Sequence, residues 1–285
     1  MKIGIIATAH EVPRIQSLLR YLEGKADVHL YVDEQGVVDS RSTAFDEQVI
    51  FTKGRGYALL TMARIAEASG IAVVNSAHST WVATHRLLAS IACREAGVRV
   101  PEFSVGTSAP DAFDKVIVKN IVDQNHLRFL DILPIVGGPR ATIPPITTSE
   151  EAGSSELAPQ YHFYQRFLRT EFEYKVYGFG ERLLYYRQLP VLVNPDKMST
   201  RVQIDEVPEL KRAARAAMRA TGLEIASLDF LEEDGELYLT DVNSTPNFNY
   251  IAEGAQIVGD YLLAIARDGG RQVETRRAPA PRRRT

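Results

Sequence analysis

Asp229, Asp241 and Asn243 bring side-chain oxygens into an otherwise largely apolar stretch, Glu224 to Asn247, which reads EIASLDFLEEDGELYLTDVNSTPN. Ile225 to Leu231 and Glu236 to Val242 are rich in β-branched and apolar residues, and Glu-Glu-Asp-Gly lies between them, so the pattern predicts a β-hairpin. Asp229 falls in the middle of the first strand and Asp241 at the end of the second, where carboxylates without a partner are costly to bury. A cation is therefore expected between them. Asn243, two residues beyond Asp241, points the same way in an extended chain and adds a neutral oxygen. Two carboxylates and a carboxamide form a hard oxygen set suited to Mg²⁺ or Mn²⁺, with positions left for water and phosphate oxygens. The alternative is that both acids end their strands in ordinary bonds to backbone amides.

Several elements must position that hairpin. Residues 3 to 8 (IGIIAT), 28 to 32 and 71 to 75 read as strands separated by helices, one running through Leu22 and one from about Gly56 to Ser69, which indicates a parallel α/β unit. The loop after the first strand carries His10 and Arg14 at the carboxyl end of the sheet, where such folds bind ligands. A solvated loop with a helix starting at Pro13 fits it equally. Lys53-Gly54-Arg55-Gly56 lacks the spacing of a phosphate loop. From Ser79 the periodicity predicts one long helix to Gly97, then a strand Val98 to Phe103. Further strands are expected at Lys115 to Lys119, His162 to Leu168, Glu173 to Gly180 and Arg182 to Gln188. Pro208 to Thr221 reads as a basic amphipathic helix ended by Gly222, and Asn249 to Asp268 as a final helix closing the domain.

Asp in an apolar strand, a hairpin, then Asp-x-Asn-x-x-Pro, present here as LDFL and TDVNSTPN, resembles the metal-binding signature of the ATP-grasp superfamily. The resemblance runs over most of residues 76 to 268. It implies an α/β protein of ATP-grasp fold: an N-terminal parallel α/β domain (1–75), then two α+β subdomains (76–160 and 161–268) that clasp ATP, with a disordered basic tail (269–285). It also implies roles. Arg86 stands where members often carry a basic residue on a helix, here as His85-Arg86 in place of Asp-Lys, and is assigned to the nucleotide. Lys119, closing the Val-Ile-Val run, is assigned to the phosphates. Backbone groups near Phe167 and Leu168 are expected at the adenine edge and Glu171 at the ribose. Lys175 and Arg187, in YKVYGFG and RLLYYRQ, take the basic positions facing the phosphoryl or acyl acceptor. The Gly-rich lid common in the superfamily is missing from Asn120 to Arg128, where His126 and Arg128 offer side-chain donors instead. The segment from Gly137 to Pro159 reads as a loop.

The activity so implied is an ATP- and Mg²⁺-dependent ligase joining a small-molecule carboxylate to an amine through an acylphosphate, similar to the ribosomal-protein glutamate ligases and related amino-acid and peptide ligases. Inositol trisphosphate kinases share the same patterns, and a nucleotide-binding protein without turnover is a third reading. Charge favours the ligase. The formal net charge is −3, and the last fifteen residues hold six Arg against one Glu, which leaves −8 for residues 1 to 270. A polyphosphorylated acceptor calls for clustered cations, and nucleic acid for basic surface. His10, Arg14, Lys53 and Arg55 are all that the N-terminal loops provide. No apolar stretch is long enough for a membrane span and Met1 leads directly into a strand, so a cytoplasmic protein is expected. Self-association into a homo-oligomer is left open. The single cysteine, Cys93, is expected as a reduced core thiol.

Overall fold

Lys2-Ile-Gly-Ile-Ile-Ala7 forms the central strand β1 of an all-parallel sheet in the computed structural model of the chain, which describes residues 1–32, 38, 43–110, 113, 115–123, 161–190, 194 and 196–268. The order is β2 (Asp27–Val32), β1, β3 (Val49–Lys53), β4 (Ala72–Val74). β1 and β3 are buried along nearly their whole length, which is why they read as continuous apolar runs. β3 is an addition to the expected strands. Its apolar core is only Val49-Ile-Phe, short enough to be mistaken for loop.

Because the chain leaves β1 for β2 on one side and returns to β3 on the other, a crevice opens at the carboxyl ends of β1 and β3. A 3₁₀ turn, Ala9–Ile15, follows β1 and leads into α1 (Gln16–Leu22), and α2 (Tyr57–Ala68) follows β3. The two strand ends approach closely. A Cβ on Gly54 would lie 2.7 Å from Thr8 Cγ2 and 2.8 Å from Leu59 Cδ1, so the position requires glycine.

The predicted long helix after Ser79 is two helices, α3 (Ala77–Thr84) and α4 (Arg86–Glu95), with His85 extended between them. The break lets the Arg86 N–H bond the Ile121 carbonyl at 2.8 Å while the Asp123 N–H bonds that of Thr84 at 2.8 Å. The strand expected at Val98 to Phe103 begins only at Phe103. β5 (Phe103–Gly106) joins β6 (Val116–Asn120) and β7 (His162–Arg166) in a three-stranded antiparallel sheet ordered β5-β7-β6.

The remaining strands form a five-stranded antiparallel sheet, ordered β10 (Val202–Ile204), β9 (Arg182–Gln188), β8 (Glu173–Phe179), β11 (Ile225–Glu233), β12 (Glu236–Asn243). The hairpin is present as expected. Asp234 and Gly235, with φ of 54° and 78°, make the two-residue turn, since Glu233 pairs with Glu236. On one face of this sheet lies α5 (Pro208–Thr221), with Pro at its start and left-handed Gly222 at its end. Leu210, Ala214, Ala217 and Met218 of α5 pack with Val176, Leu228 and Phe230 of the sheet. The other face, carrying Tyr177, Phe179, Tyr186 and Ile225, packs with the last helix, α6 (Gly254–Arg267). That helix does not close the C-terminal part on itself: its Ile257, Val258 and Leu262 share a core with Ile3, Ile5, Ile15 and Leu18.

Cys93 is fully buried on α4, and burial pushes its thiol up to about 12, as suits a core residue. Among the described residues no helix is long and apolar enough to cross a membrane. Residues 124–160 and 269–285, including His126, Arg128, the Gly137–Pro159 segment and the basic tail, lie outside the described residues.

Candidate active site

Cross-strand partners in a sheet project to the same side, so register decides which side chains converge. Asp229 pairs with Asp241 on one flank and Lys175 on the other, and Asn243 pairs with Ser227, two residues from Asp229. The three expected metal ligands and Lys175 therefore share one face. A bulge between Asp229 and Phe230 sets Thr240 out of register, and the Thr240 carbonyl accepts from Lys119 Nζ at 2.9 Å.

Each oxygen set has a basic partner. Lys175, itself buried, is ion-paired with Asp229. Burial pulls the Lys175 ammonium down, but the Asp229 charge outweighs it and holds the group above the usual lysine value. Arg86 Nη2 stands 3.9 Å from Asp241 and 3.8 Å from Asp123. Burial pushes the Asp241 carboxyl up, yet Arg86, Lys119, Lys175 and Arg55 together keep it below the usual carboxylate range. Asn243 Oδ1 accepts from Arg55 Nη2 at 2.9 Å and from the Thr245 N–H at 2.9 Å, and Arg55 is also ion-paired with Asp123. Arg55, Arg86, Lys119 and Lys175 thus surround Asp123, Asp229 and Asp241. The cluster carries one more positive than negative charge.

The donor set fits a hard divalent cation. Two carboxylates and an amide oxygen lie on one sheet face, and the Asp241 and Asp229 side chains keep 33% and 21% exposure. Asp229, Asp241 and Asn243 would hold such an ion once the long Lys175 and Arg55 side chains turn toward phosphate oxygens. The nearby Arg86 Nε is buried without a hydrogen-bond partner. A narrow cleft beside Arg86 and Asp241 is lined by Val100, Phe163 and Leu239. The sequence reading did not single out those three.

Other expected positions stand elsewhere. Arg187 pairs with Tyr174, on the sheet face opposite Lys175, and its exposed guanidinium stacks on Phe172 with 4.6 Å to the ring centroid. The expectation that Lys175 and Arg187 face one acceptor is thereby corrected: their odd separation along the antiparallel register puts them on opposite sides. The Phe167 N–H bonds the Lys115 carbonyl at 3.0 Å, Leu168 is buried, and Glu171 is exposed at the turn before β8.

The crevice of the parallel sheet meets the hairpin exit. Lys53 Nζ donates to the carbonyls of Thr245 and Pro246, both at 2.8 Å, and lies 3.2 Å from buried Glu11. Arg55 Nε donates to Thr245 Oγ1 at 3.2 Å. Asn75 bonds the carbonyls of Ile225 and Ser244. Sequence reasoning noticed Lys53 and Arg55 but judged them against a phosphate loop; the usable signal was two bases at the end of an apolar run.

No protein-family model matches the sequence, and no curated protein does. Solved structures do resemble the fold. A RimK domain protein ATP-grasp from Sphaerobacter thermophilus superposes with a TM-score of 0.69 at 12% identity, covering 92% of this chain and all of that one. The D-alanine–D-alanine ligase of Bacillus anthracis complexed with ATP gives 0.66 at 16%, covering 96% of this chain and 99% of that one. The ATP-grasp ligase PsnB, complexed with precursor peptide PsnA2 and AMPPNP, gives 0.64 at 16%, covering 93% and 97%. The chain has the ATP-grasp fold.

Proposed function

We propose that this ATP-grasp chain is an ATP- and Mg²⁺-dependent ligase that joins a carboxylate to an amine, on a small molecule or a peptide, in the cytoplasm. The observation that carries the reading is the cluster of Arg55, Arg86, Lys119 and Lys175 around three carboxylates, beside the apolar Val100–Phe163–Leu239 wall. Such a cluster suits a nucleotide with its metal, because the cations offset phosphate charge. The structural neighbours include ligases, one of them bound to a precursor peptide, which supports the same class.

In the proposed reaction a substrate carboxylate oxygen attacks the γ-phosphorus, the bond to the β-bridging oxygen breaks, and ADP leaves. The amine nitrogen then attacks the acyl carbon, the acyl C–O bond breaks so that phosphate leaves with that oxygen, and the nitrogen gives up one proton to the departing phosphate or to water. Bound Mg²⁺ would neutralise phosphate charge as the transfer proceeds. In this reading Lys175, buried beside Asp229, would hold the γ-phosphoryl oxygens, and Arg86 and Lys119 the inner phosphates. No side-chain nucleophile is required, because orientation and charge neutralisation supply the catalysis.

A screen of amino acids and short peptides with ATP and Mg²⁺, following phosphate release and product mass, tests the class. A ligase yields free phosphate and a product lighter than its two substrates by one water. A stable product carrying the phosphoryl group on a hydroxyl would instead identify a kinase.

A further inference from the structure

Arg201 follows the 3₁₀ turn Lys197–Thr200 and opens β10. Its guanidinium lies on the sheet face that carries Lys175, because it reaches Gln188 and Tyr177, whose register partners place them there. Nε donates to Gln188 Oε1 at 2.7 Å and Nη1 to the Tyr177 hydroxyl at 3.0 Å. The rings of Tyr177 and Tyr250 flank it at 6.0 Å and 5.7 Å. Nη2 is buried with no hydrogen-bond partner, and among the described residues no carboxylate forms an ion pair with this guanidinium. A cation held only by neutral groups, with one donor nitrogen buried and unmet, lacks its counter-ion.

The surroundings indicate which anion fits. Lys175 Nζ lies 5.8 Å from the centroid of the same Tyr177 ring, so two cations flank one aromatic side chain, and only Lys175 has an acidic partner. Arg201 is not among Arg55, Arg86, Lys119 and Lys175, the cations around which phosphates would gather. The nearest acid, Glu173, accepts from Gln188 Nε2 at 2.7 Å and so reaches the guanidinium only through that amide. A single guanidinium lined by an amide and two phenols matches one carboxylate, whose two oxygens suit its planar N–H edge; a phosphate dianion would call for further positive charge. The outer wall, Tyr250, is 46% exposed and can turn aside to admit a ligand.

We propose that Arg201 binds a carboxylate of the substrate that the reaction does not consume, so that the substrate carries two carboxylates, as a dicarboxylate or an acidic amino acid does. The inference rests on the ligase reading: one carboxylate is activated beside Lys175 while Arg201 anchors another.

The test is equilibrium binding without turnover. Protein saturated with Mg²⁺ and a non-hydrolysable ATP analogue is titrated with glutarate, L-glutamate and L-aspartate, and with butyrate as a one-carboxylate control. Wild type, Arg201→Gln and Arg201→Lys are compared, with analogue affinity and thermal unfolding measured alongside. The expected result is that at least one diacid binds wild type, weakens about 10- to 100-fold in Arg201→Gln, and is partly retained in Arg201→Lys, while analogue affinity is unchanged. Butyrate should bind all three proteins alike. The proposal is overturned if no diacid binds wild type, if the diacids bind Arg201→Gln as well as wild type, or if analogue affinity falls in parallel. Should Arg201→Gln fail to fold, the Lys variant decides: diacid affinity equal to wild type there, where the planar fork is gone, overturns the proposal. Because no turnover is needed, a kinase outcome in the product screen leaves this result readable, and a confirmed ligase with an Arg201-independent diacid site removes only the Arg201 assignment.

Discussion

Neither Lys175 nor Asp229 tolerates the loss of the other, since both lie in the sheet with side chains only 10% and 21% exposed. Lys175→Met should lower stability by about 3–5 kcal/mol by leaving a carboxylate without its partner, and adding Asp229→Asn should restore part of that loss while leaving activity abolished. Urea unfolding of the single and double variants measures both. Restored stability with restored turnover would make the pair structural only. Asp241 is the more exposed acid and its charge is favoured by four cations, so Asp241→Asn should fold yet lose more than about 100-fold in turnover together with Mg²⁺-dependent nucleotide binding. Calorimetry with Mg-ATP that matches wild type would remove the metal assignment. These residues were legible only in part: strand alternation puts Asp241 and Asn243 on one face, but the turn that pairs Glu233 with Glu236 would set Asp229 opposite Thr240, and only the bulge after Asp229, which no sequence pattern announces, brings it to Asp241. Arg201 was not legible, because its neutral partners Gln188 and Tyr177 come from other strands and no local pattern links them.

At the scale of elements, the link from β3 to the exit of β12 is made by Lys53, whose side chain is 1% exposed and whose pKa burial draws down to about 8 against the pull of Glu11. The unfolded chain keeps this proton up to about 10.4, so between about 8 and that value the unfolded state binds more protons and stability rises with pH. Lys53→Met should flatten the rise. Chemical unfolding of both proteins from neutral pH to about 9.5, below the tyrosine range, checks it, and parallel curves would show that Lys53 titrates normally. The elements themselves were mostly readable. β8, β9, β11, β12 and α5 follow from alternation, an Asp-Gly turn, and Pro and Gly at the helix ends. The break at His85 was not, since THRLL contains neither Gly nor Pro; backbone pairing of Thr84 and Arg86 with residues 121–123 imposes it, a contact distant in sequence. Arg187 was misplaced because its side of the sheet depends on the register across the β8–β9 turn.

For the whole molecule, the parallel sheet is not built from its own segment alone. Its core includes Ile257, Val258 and Leu262 of α6, and Tyr21 donates from α1 to Asp260 at 2.6 Å, while a Cβ on Gly259 would meet the Tyr21 ring at 2.4 Å. Residues 1–75 expressed alone should therefore stay largely unfolded, and in residues 1–253 the amides of β1 should exchange faster than in the full chain. A protected, cooperatively melting 1–75 fragment would contradict this. The arrangement also orders events during synthesis. β1 leaves the ribosome well before α6, with the 246 residues from Thr8 to Glu253 made in between, so its Ile-rich face stays uncovered until that helix has been synthesised. A holding chaperone that recognises short aliphatic runs should engage the nascent chain at Ile3 to Ile6 and let go only after residue 267 has emerged.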